Sequence, residues 1–326
     1  PTRLYVAGNR LYGSDDRGDS WQAFSPDLTR QLDPENQRVM GQTWGDDAVQ
    51  KNRFTTALSV SSALDESALQ EGLLYIGTDD GLVQVSPDRG QTWQHIERFP
   101  GIPHRAYVSD ICASQHCADT LYVAFNNYQR GDFRPYLLKS TDRGTSWTSI
   151  AGDLPNRHVV WSVVEDHVNP NLLFAGTEFG VFFTVDSGQH WIQLRSGVPT
   201  VSFRDLTLQR RESDLVAATF GRGFYVLDDI TPLRELGPQT SAQRAALFAP
   251  RAAWVYQELG HIVAAFGNVT TPNPPFGAIL HYYLREGLPE KDDKIVLAIT
   301  DSKGKLLRRV TGPSSAGLHR VVWDLR

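Results

Sequence analysis

Short apolar runs recur along this chain, each bounded by Gly, Asp, Asn or Pro. Leu73–Thr78 is followed across a tight turn by Leu82–Val85, and Leu172–Thr177 by Val181–Phe183. A further run precedes such pairs, as Tyr107–Ala113 and His158–Val164 do, and a short one such as Thr148–Ile150 follows. Apolar residues at helical spacing are essentially absent. The pattern therefore predicts strands, four to a unit, joined by tight turns.

One motif punctuates these units, Ser/Thr-x-Asp-x-Gly-x-x-Trp. It occurs as Ser14, Asp16, Gly18, Trp21; as Ser86, Asp88, Gly90, Trp93; as Ser140, Asp142, Gly144, Trp147; and as Thr184, Asp186, Gly188, Trp191. The tryptophans are 72, 54 and 44 residues apart, so loops of different length interrupt a repeat of roughly 45 residues. Repeated four-stranded units of that size read as β-propeller blades. The motif falls between the third and fourth strands. There the Asp carboxylate accepts backbone N–H groups, Gly supplies a positive φ, and Trp packs back over the blade. A fifth unit lacks the motif (Phe203–Leu208, Asp214–Ala218, Phe224–Leu227), and the first lacks its opening strand. Residues 1–229 are thus expected to hold about five blades, the first incomplete.

Pro232, Gly237, Pro238 and Pro250 mark a linker over 230–250. Beyond it, over 251–326, strands are expected at His261–Phe266, Ala278–Leu284, Ile295–Thr300, Leu306–Val310 and Leu318–Trp323. This reads as an immunoglobulin- or fibronectin-like β-sandwich, short of the usual seven strands and so read as truncated. The fold class is all-β throughout.

The four motif copies resemble the Asp-box, or BNR, repeat of sialidases, two-propeller xyloglucanases, sortilin-type receptors and a photosystem II assembly factor. LLYIGTDDGL (from Leu73), LLFAGTEFGV (from Leu172) and LVAATFGRGFYVLDDITPL (from Leu215) resemble a narrower family. These are large bacterial BNR-repeat, sortilin N-terminal-domain-like "glycosyl hydrolase" proteins. The tail segments Asn273–Ala278 and Val321–Arg326 are similar to that family's C-terminal sandwich. Because its members are longer, the resemblance implies that this chain is a C-terminal fragment whose N-terminal blades are among its partners.

Propeller geometry gathers the turns between second and third strands, and the links into each first strand, at one face around the central channel. That face is expected to hold Asp79, Asp80, Asn126, Asn127, Tyr128, Arg130, Asp132, Arg134, Glu178 and Arg222. The long link over 36–54 adds Trp44, Asp46, Asp47, Lys51 and Arg53. Mixed aromatic and charged side chains at a concave mouth suit a glycan or polypeptide ligand, with Trp44, Arg53, Asn126, Tyr128, Arg130, Arg134 and Arg222 as binding candidates. Glycoside hydrolysis would instead need two carboxylates about 5–9.5 Å apart, for which Asp46, Asp79, Asp80 and Glu178 are the candidates. A sialidase-like arrangement of Arg53, Arg130, Arg134 and Arg222 with Tyr128 can be drawn, but Phe203-Arg204-Asp205-Leu206 stands where a Phe-Arg-Ile-Pro signature would be wanted.

Composition narrows the classes further. Among 326 residues, 32 Lys and Arg face 37 Asp and Glu, a formal charge of −5. No basic excess favours nucleic acid, and no apolar run approaches the roughly 20 residues of a membrane span. Met40 is internal and is the one methionine, so no signal peptide is legible, while the repeat type points to a secreted or periplasmic setting. Cys112 and Cys117 either form a disulfide in an oxidising compartment or remain two buried thiols. No His pair has zinc-site spacing, and no Gly-rich phosphate loop or Gly-x-Ser-x-Gly elbow occurs, so neither metal nor cofactor is expected. Three functions follow: a non-catalytic binding scaffold, a glycoside hydrolase using mouth carboxylates, or an assembly or sorting factor.

Overall fold

The computed structural model describes residues 3–32, 59–255, 275–289 and 294–326, together with the backbone of 38–39 and 42–43. The chain divides into two compact units, Pro1–Leu227 and Asp228–Arg326. Among the described residues no helix is long and apolar enough to cross a membrane.

The first unit is a series of antiparallel meanders. The first has three strands, β1 (Leu4–Ala7), β2 (Leu11–Ser14) and β3 (Gln22–Ala23). A minimal hairpin follows, β4 (Arg38–Val39) and β5 (Gln42–Thr43). The second meander has four strands, β6 (Ser61–Glu66), β7 (Leu74–Thr78), β8 (Val83–Ser86) and β9 (Gln94–Ile96). The third comprises β10 (Tyr107–Ala113), β11 (Leu121–Asn127), β12 (Asp132–Ser140) and β13 (Thr148–Ser149). The fourth comprises β14 (Val160–Glu165), β15 (Leu173–Thr177), β16 (Gly180–Thr184) and β17 (Ile192–Leu194). The fifth has β18 (Phe203–Gln209), β19 (Asp214–Thr219) and β20 (Phe224–Leu227), with no fourth strand among the described residues.

Successive meanders pack face to face, which is why their middle strands are apolar on both sides rather than alternating. Tyr75, Val83 and Val85 share one buried cluster with Val108, Ile111, Val123 and Phe125. Tyr122, Ala124 and Leu137 share the next with Val163, Leu173, Ala175 and Phe182. Close approach needs small residues on the second strands: a Cβ on Gly77 would overlap Val108, and one on Gly176 would press on the Phe203 carbonyl.

The repeated motif builds the same turn four times. In the third copy the Ser140 hydroxyl donates to Asp142 (2.8 Å) and accepts the Gly144 N–H (2.8 Å). The residue before the tryptophan then closes the carboxylate, Ser146 donating its N–H (2.8 Å) and its hydroxyl (2.6 Å) to Asp142. Ser20 and Thr92 do the same for Asp16 and Asp88. In the fourth copy His190 takes this place, its Nδ1 lying 2.7 Å from Asp186. The turn is left-handed at two successive residues, not at glycine alone: Arg17, Arg89, Arg143 and Ser187 have φ of 64°, 61°, 56° and 60°. Trp packing is graded, from Trp21 at 41% exposure to Trp191 at 7%.

In the second unit, β21 (Ala245–Leu247), β22 (Ala278–Leu284) and β25 (Gly317–Trp323) form one sheet, and β23 (Ile295–Thr300) with β24 (Leu306–Gly312) another. They share a small core in which Tyr282, Leu284 and Val321 meet Ile295, Leu297 and Val310. The segment read as a linker, 230–250, carries two short helices, α1 (Thr231–Glu235) and α2 (Pro238–Ala242). It also carries β21, which pairs with β22. Pro232 and Pro238 open the helices, where a missing N–H is harmless. The expected strand His261–Phe266 lies outside the described residues.

Candidate functional site

Each opening strand of meanders two to five carries one register shift at the same place. It falls between Ser61 and Ala63 in β6, Val108 and Asp110 in β10, Val160 and Ser162 in β14, and Phe203 and Asp205 in β18. The extra residues are therefore Ser62, Ser109, Trp161 and Arg204. A β-bulge re-aims its side chain. In the earlier meanders the small hydroxyl is absorbed locally: Ser62 donates to the Val108 carbonyl (2.7 Å), and Ser109 accepts from Asn126 (2.9 Å). In the last two the same position carries an indole and a guanidinium.

These two side chains organise a cluster. The Arg204 guanidinium lies 3.6 Å from the centroid of the Trp161 ring and 5.1 Å from that of Phe220. Tyr128, from the turn after β11, meets Trp161 edge-on at 5.4 Å. Glu178, from the turn after β15, accepts the Trp161 indole N–H (2.8 Å) and the Ser202 hydroxyl (3.2 Å), with Arg204 at 3.7 Å. Three consecutive meanders thus contribute to one patch through the links and second-to-third-strand turns on one edge of their sheets. Its rings are partly bare: Tyr128 is 42% exposed and Phe220 71%.

The other sequence-derived candidates have structural partners. Asp80 is fully buried, its carboxylate accepting the Arg30 N–H (2.8 Å) and the Ser59 and Thr78 hydroxyls. Asp79 is buried and accepts the Val60 N–H at 2.9 Å. Asn126 is buried on Ser109. Arg130 donates to the carbonyls of His104 and Arg105; burial, then the nearby Arg105, lowers its pKa. Arg134 forks onto Asp132 with two 2.9 Å bonds. With the Tyr136 hydroxyl also donating (2.7 Å), Asp132 is held well below the usual carboxylate range, the Arg134 bonds being the main cause. Arg222 sits in the turn after β19, where its N–H caps Thr219. Trp44, Asp46, Asp47, Lys51 and Arg53 lie outside the described residues.

Both cysteines are free thiols; Cys112 is partly buried and Cys117 exposed. Desolvation pushes the Cys112 thiol well above its ordinary pKa. Among the described residues no group of three or more His, Cys, Asp or Glu is placed to hold a metal ion.

Trp161, Ser202, Arg204 and Phe220 were not among the sequence-derived candidates. The available signal was the bulge column itself, Ser62, Ser109, Trp161, Arg204, where two large side chains replace two small ones. It becomes visible only when the opening strands are aligned by register.

No protein-family model matches the chain, and no curated protein matches it either. Among solved structures it is similar to the GH74 xyloglucanase from Xanthomonas campestris, at 18% identity over 70% of this chain and 35% of that one, with a TM-score of 0.49. It is similar to a GH74 enzyme from Niastella koreensis, at 18% identity over 71% and 35%, with a TM-score of 0.46. It is also similar to YCF48 from Cyanidioschyzon merolae, at 20% identity over 51% and 52%, with a TM-score of 0.39. The chain spans about a third of the length of the two GH74 enzymes.

Proposed function

We propose that this chain is a non-catalytic binding scaffold. In this reading the first unit is a portion of an Asp-box β-propeller of the bacterial sortilin-like group and the second an immunoglobulin-like sandwich. The setting is extracytoplasmic, further N-terminal blades complete the ring, and the mouth engages a glycan or polypeptide. The observation that carries it is the patch of Tyr128, Trp161, Glu178, Arg204 and Phe220, with exposed rings and charges that largely answer one another. Such a surface gains affinity from aromatic area and a few oriented polar groups.

The alternative, a glycoside hydrolase, needs a second carboxylate facing Glu178. Asp79, Asp80 and Asp132 are held by protein partners, which leaves Asp46 as its candidate. Reducing-sugar release from a polysaccharide panel tests both readings. No release is expected, while polysaccharide or peptide binding survives Asp46→Asn. Release abolished by Glu178→Gln or Asp46→Asn would overturn the scaffold reading. Capture of peptides alone would favour an assembly or sorting role.

A further inference from the structure

Arg204 is held differently from Arg3, Arg30, Arg134 and Arg143 of the same unit. Arg3 forks onto Asp15 and Arg134 onto Asp132, each with two short hydrogen bonds. Arg143 bonds Asp119 and Gln70, and Arg30 bonds Glu97 and the Asp80 carbonyl. Arg204 is held instead by stacking, between the Trp161 and Phe220 rings. Its Nε is buried with no hydrogen-bond partner. Its Nη2 stands 3.7 Å from Glu178, attractive but beyond hydrogen-bond range. A guanidinium has five donors in a rigid fork that matches a carboxylate bidentately. Here the guanidinium is oriented by its ring contacts with Nε turned inward, and its Nη end, in no hydrogen bond, is the part an arriving carboxylate meets, so little side-chain freedom is lost.

The surroundings favour one kind of ligand. An extended peptide added as a strand would need free main-chain groups, and three N–H groups of the turns on this edge are already engaged. Asp79 N–H donates to Val60, Glu178 N–H to Val159 and Phe220 N–H to Ser202, at 3.0, 3.0 and 2.9 Å. What remains for a ligand is side chains: exposed ring faces on Tyr128 and Phe220, and the solvent-facing end of the Arg204 guanidinium, whose side chain is 36% exposed. A flat apolar platform beside an anion-binding fork fits a sugar ring bearing a carboxylate.

We propose that Arg204, stacked on Trp161 and Phe220, is the carboxylate-recognising residue of this patch and that its ligand is a uronate-containing oligosaccharide. This rests on the glycan form of the proposed function.

The test is calorimetric titration of the full chain with oligogalacturonate, oligomannuronate and hyaluronan fragments. Each is compared with its methyl-esterified form, and a poly-glutamate peptide is run in parallel. Binding of at least one uronate is expected, weakened tenfold or more by esterification. Arg204→Ala should weaken it at least about tenfold, the size of a lost charged hydrogen-bond pair. Arg204→Lys should recover only part, since it keeps the charge and loses the fork. Phe220→Ala, at an exposed position, keeps the test informative should Arg204 variants unfold, and is expected to weaken uronate binding severalfold. Equal binding of acid and ester, unchanged by Arg204→Ala, would overturn this inference and leave glycan binding standing. Binding of poly-glutamate alone would overturn it in favour of an acidic peptide. Failure to bind any glycan or peptide would overturn both this inference and the scaffold reading.

Discussion

Carboxylates in the first unit do three different jobs, and their surroundings decide which. The motif aspartates lie near the surface, each carboxylate making three or four hydrogen bonds within its turn. Hydroxyl and N–H bonds from Ser20, Thr92 and Ser146 lower the pKa of Asp16, Asp88 and Asp142. At Asp186 burial opposes this and the bonds from His190 and Thr184 outweigh it; the same contact raises the His190 pKa. Asp80 is an interior acceptor for three donors. Asp110 is the opposite case. It accepts the Val163 N–H at 2.8 Å across the gap between β10 and β14, yet burial pushes its pKa up from 3.8 to about 7. Its protonated form therefore suits the fold. The stability associated with it is fully present below its unfolded pKa and is lost as pH rises through about 7. Asp110→Asn keeps an acceptor and never ionises, so its melting temperature should match the parent near pH 4. It should exceed the parent at pH 8 by the equivalent of up to about 4 kcal/mol. Thermal melts across that range decide it, and a constant difference between variant and parent would refute the assignment.

At the scale of the element, the turn and the tryptophan are separate contributions. The turn closes by itself through side chain–backbone bonds, so it was legible from spacing alone. The tryptophan's role was not, because it depends on the neighbouring meander. Trp191 is buried and donates to the Ile150 carbonyl at 2.9 Å. Trp147 is partly buried on the adjacent core, edge-on to Phe99 at 5.4 Å, and its indole N–H has no partner. Trp191→Ala should therefore cost about 3–5 kcal/mol and Trp147→Ala less, about 2–3, measured by denaturant unfolding. Equal costs would mean that the two copies are packed alike. The residue before each tryptophan, Ser, Thr, Ser or His, proved to complete the turn. Its contribution was hidden in the sequence because small polar residues are common in any loop.

For the first unit as a whole, the repeating contact between sheets ends at β18–β20. In the second, third and fourth meanders the third strand is flanked by a fourth. At β20 there is none among the described residues, and Phe224 is 78% and Val226 54% exposed. An apolar unpaired edge is an association site. Phe224→Lys should reduce concentration-dependent self-association, read by light scattering, while leaving the melting temperature nearly unchanged. Unaltered scattering would show that this edge is not where copies meet.

The alternation of apolar runs and the fourfold motif were enough to place nearly every described strand and the Asp-containing turns. Those features follow from local chemistry: strand periodicity, turn conformation and side chain–backbone hydrogen bonds within a few residues. Strand pairing in the segment 230–250 escaped, because β21 is specified by its partner 30 and more residues away rather than by its own three residues. Trp161, Arg204 and Phe220 of the candidate site escaped for the same reason. Asp79 and Asp80 resemble free surface acids until the Val60 and Arg30 backbones are brought onto them. Arg204 resembles an ordinary strand arginine until a bulge turns it onto Trp161, 43 positions earlier, under Phe220. Composition and local pattern determined the kind of element; only the packing of one sheet on the next decided which side chains were consumed by the fold and which were left at the surface.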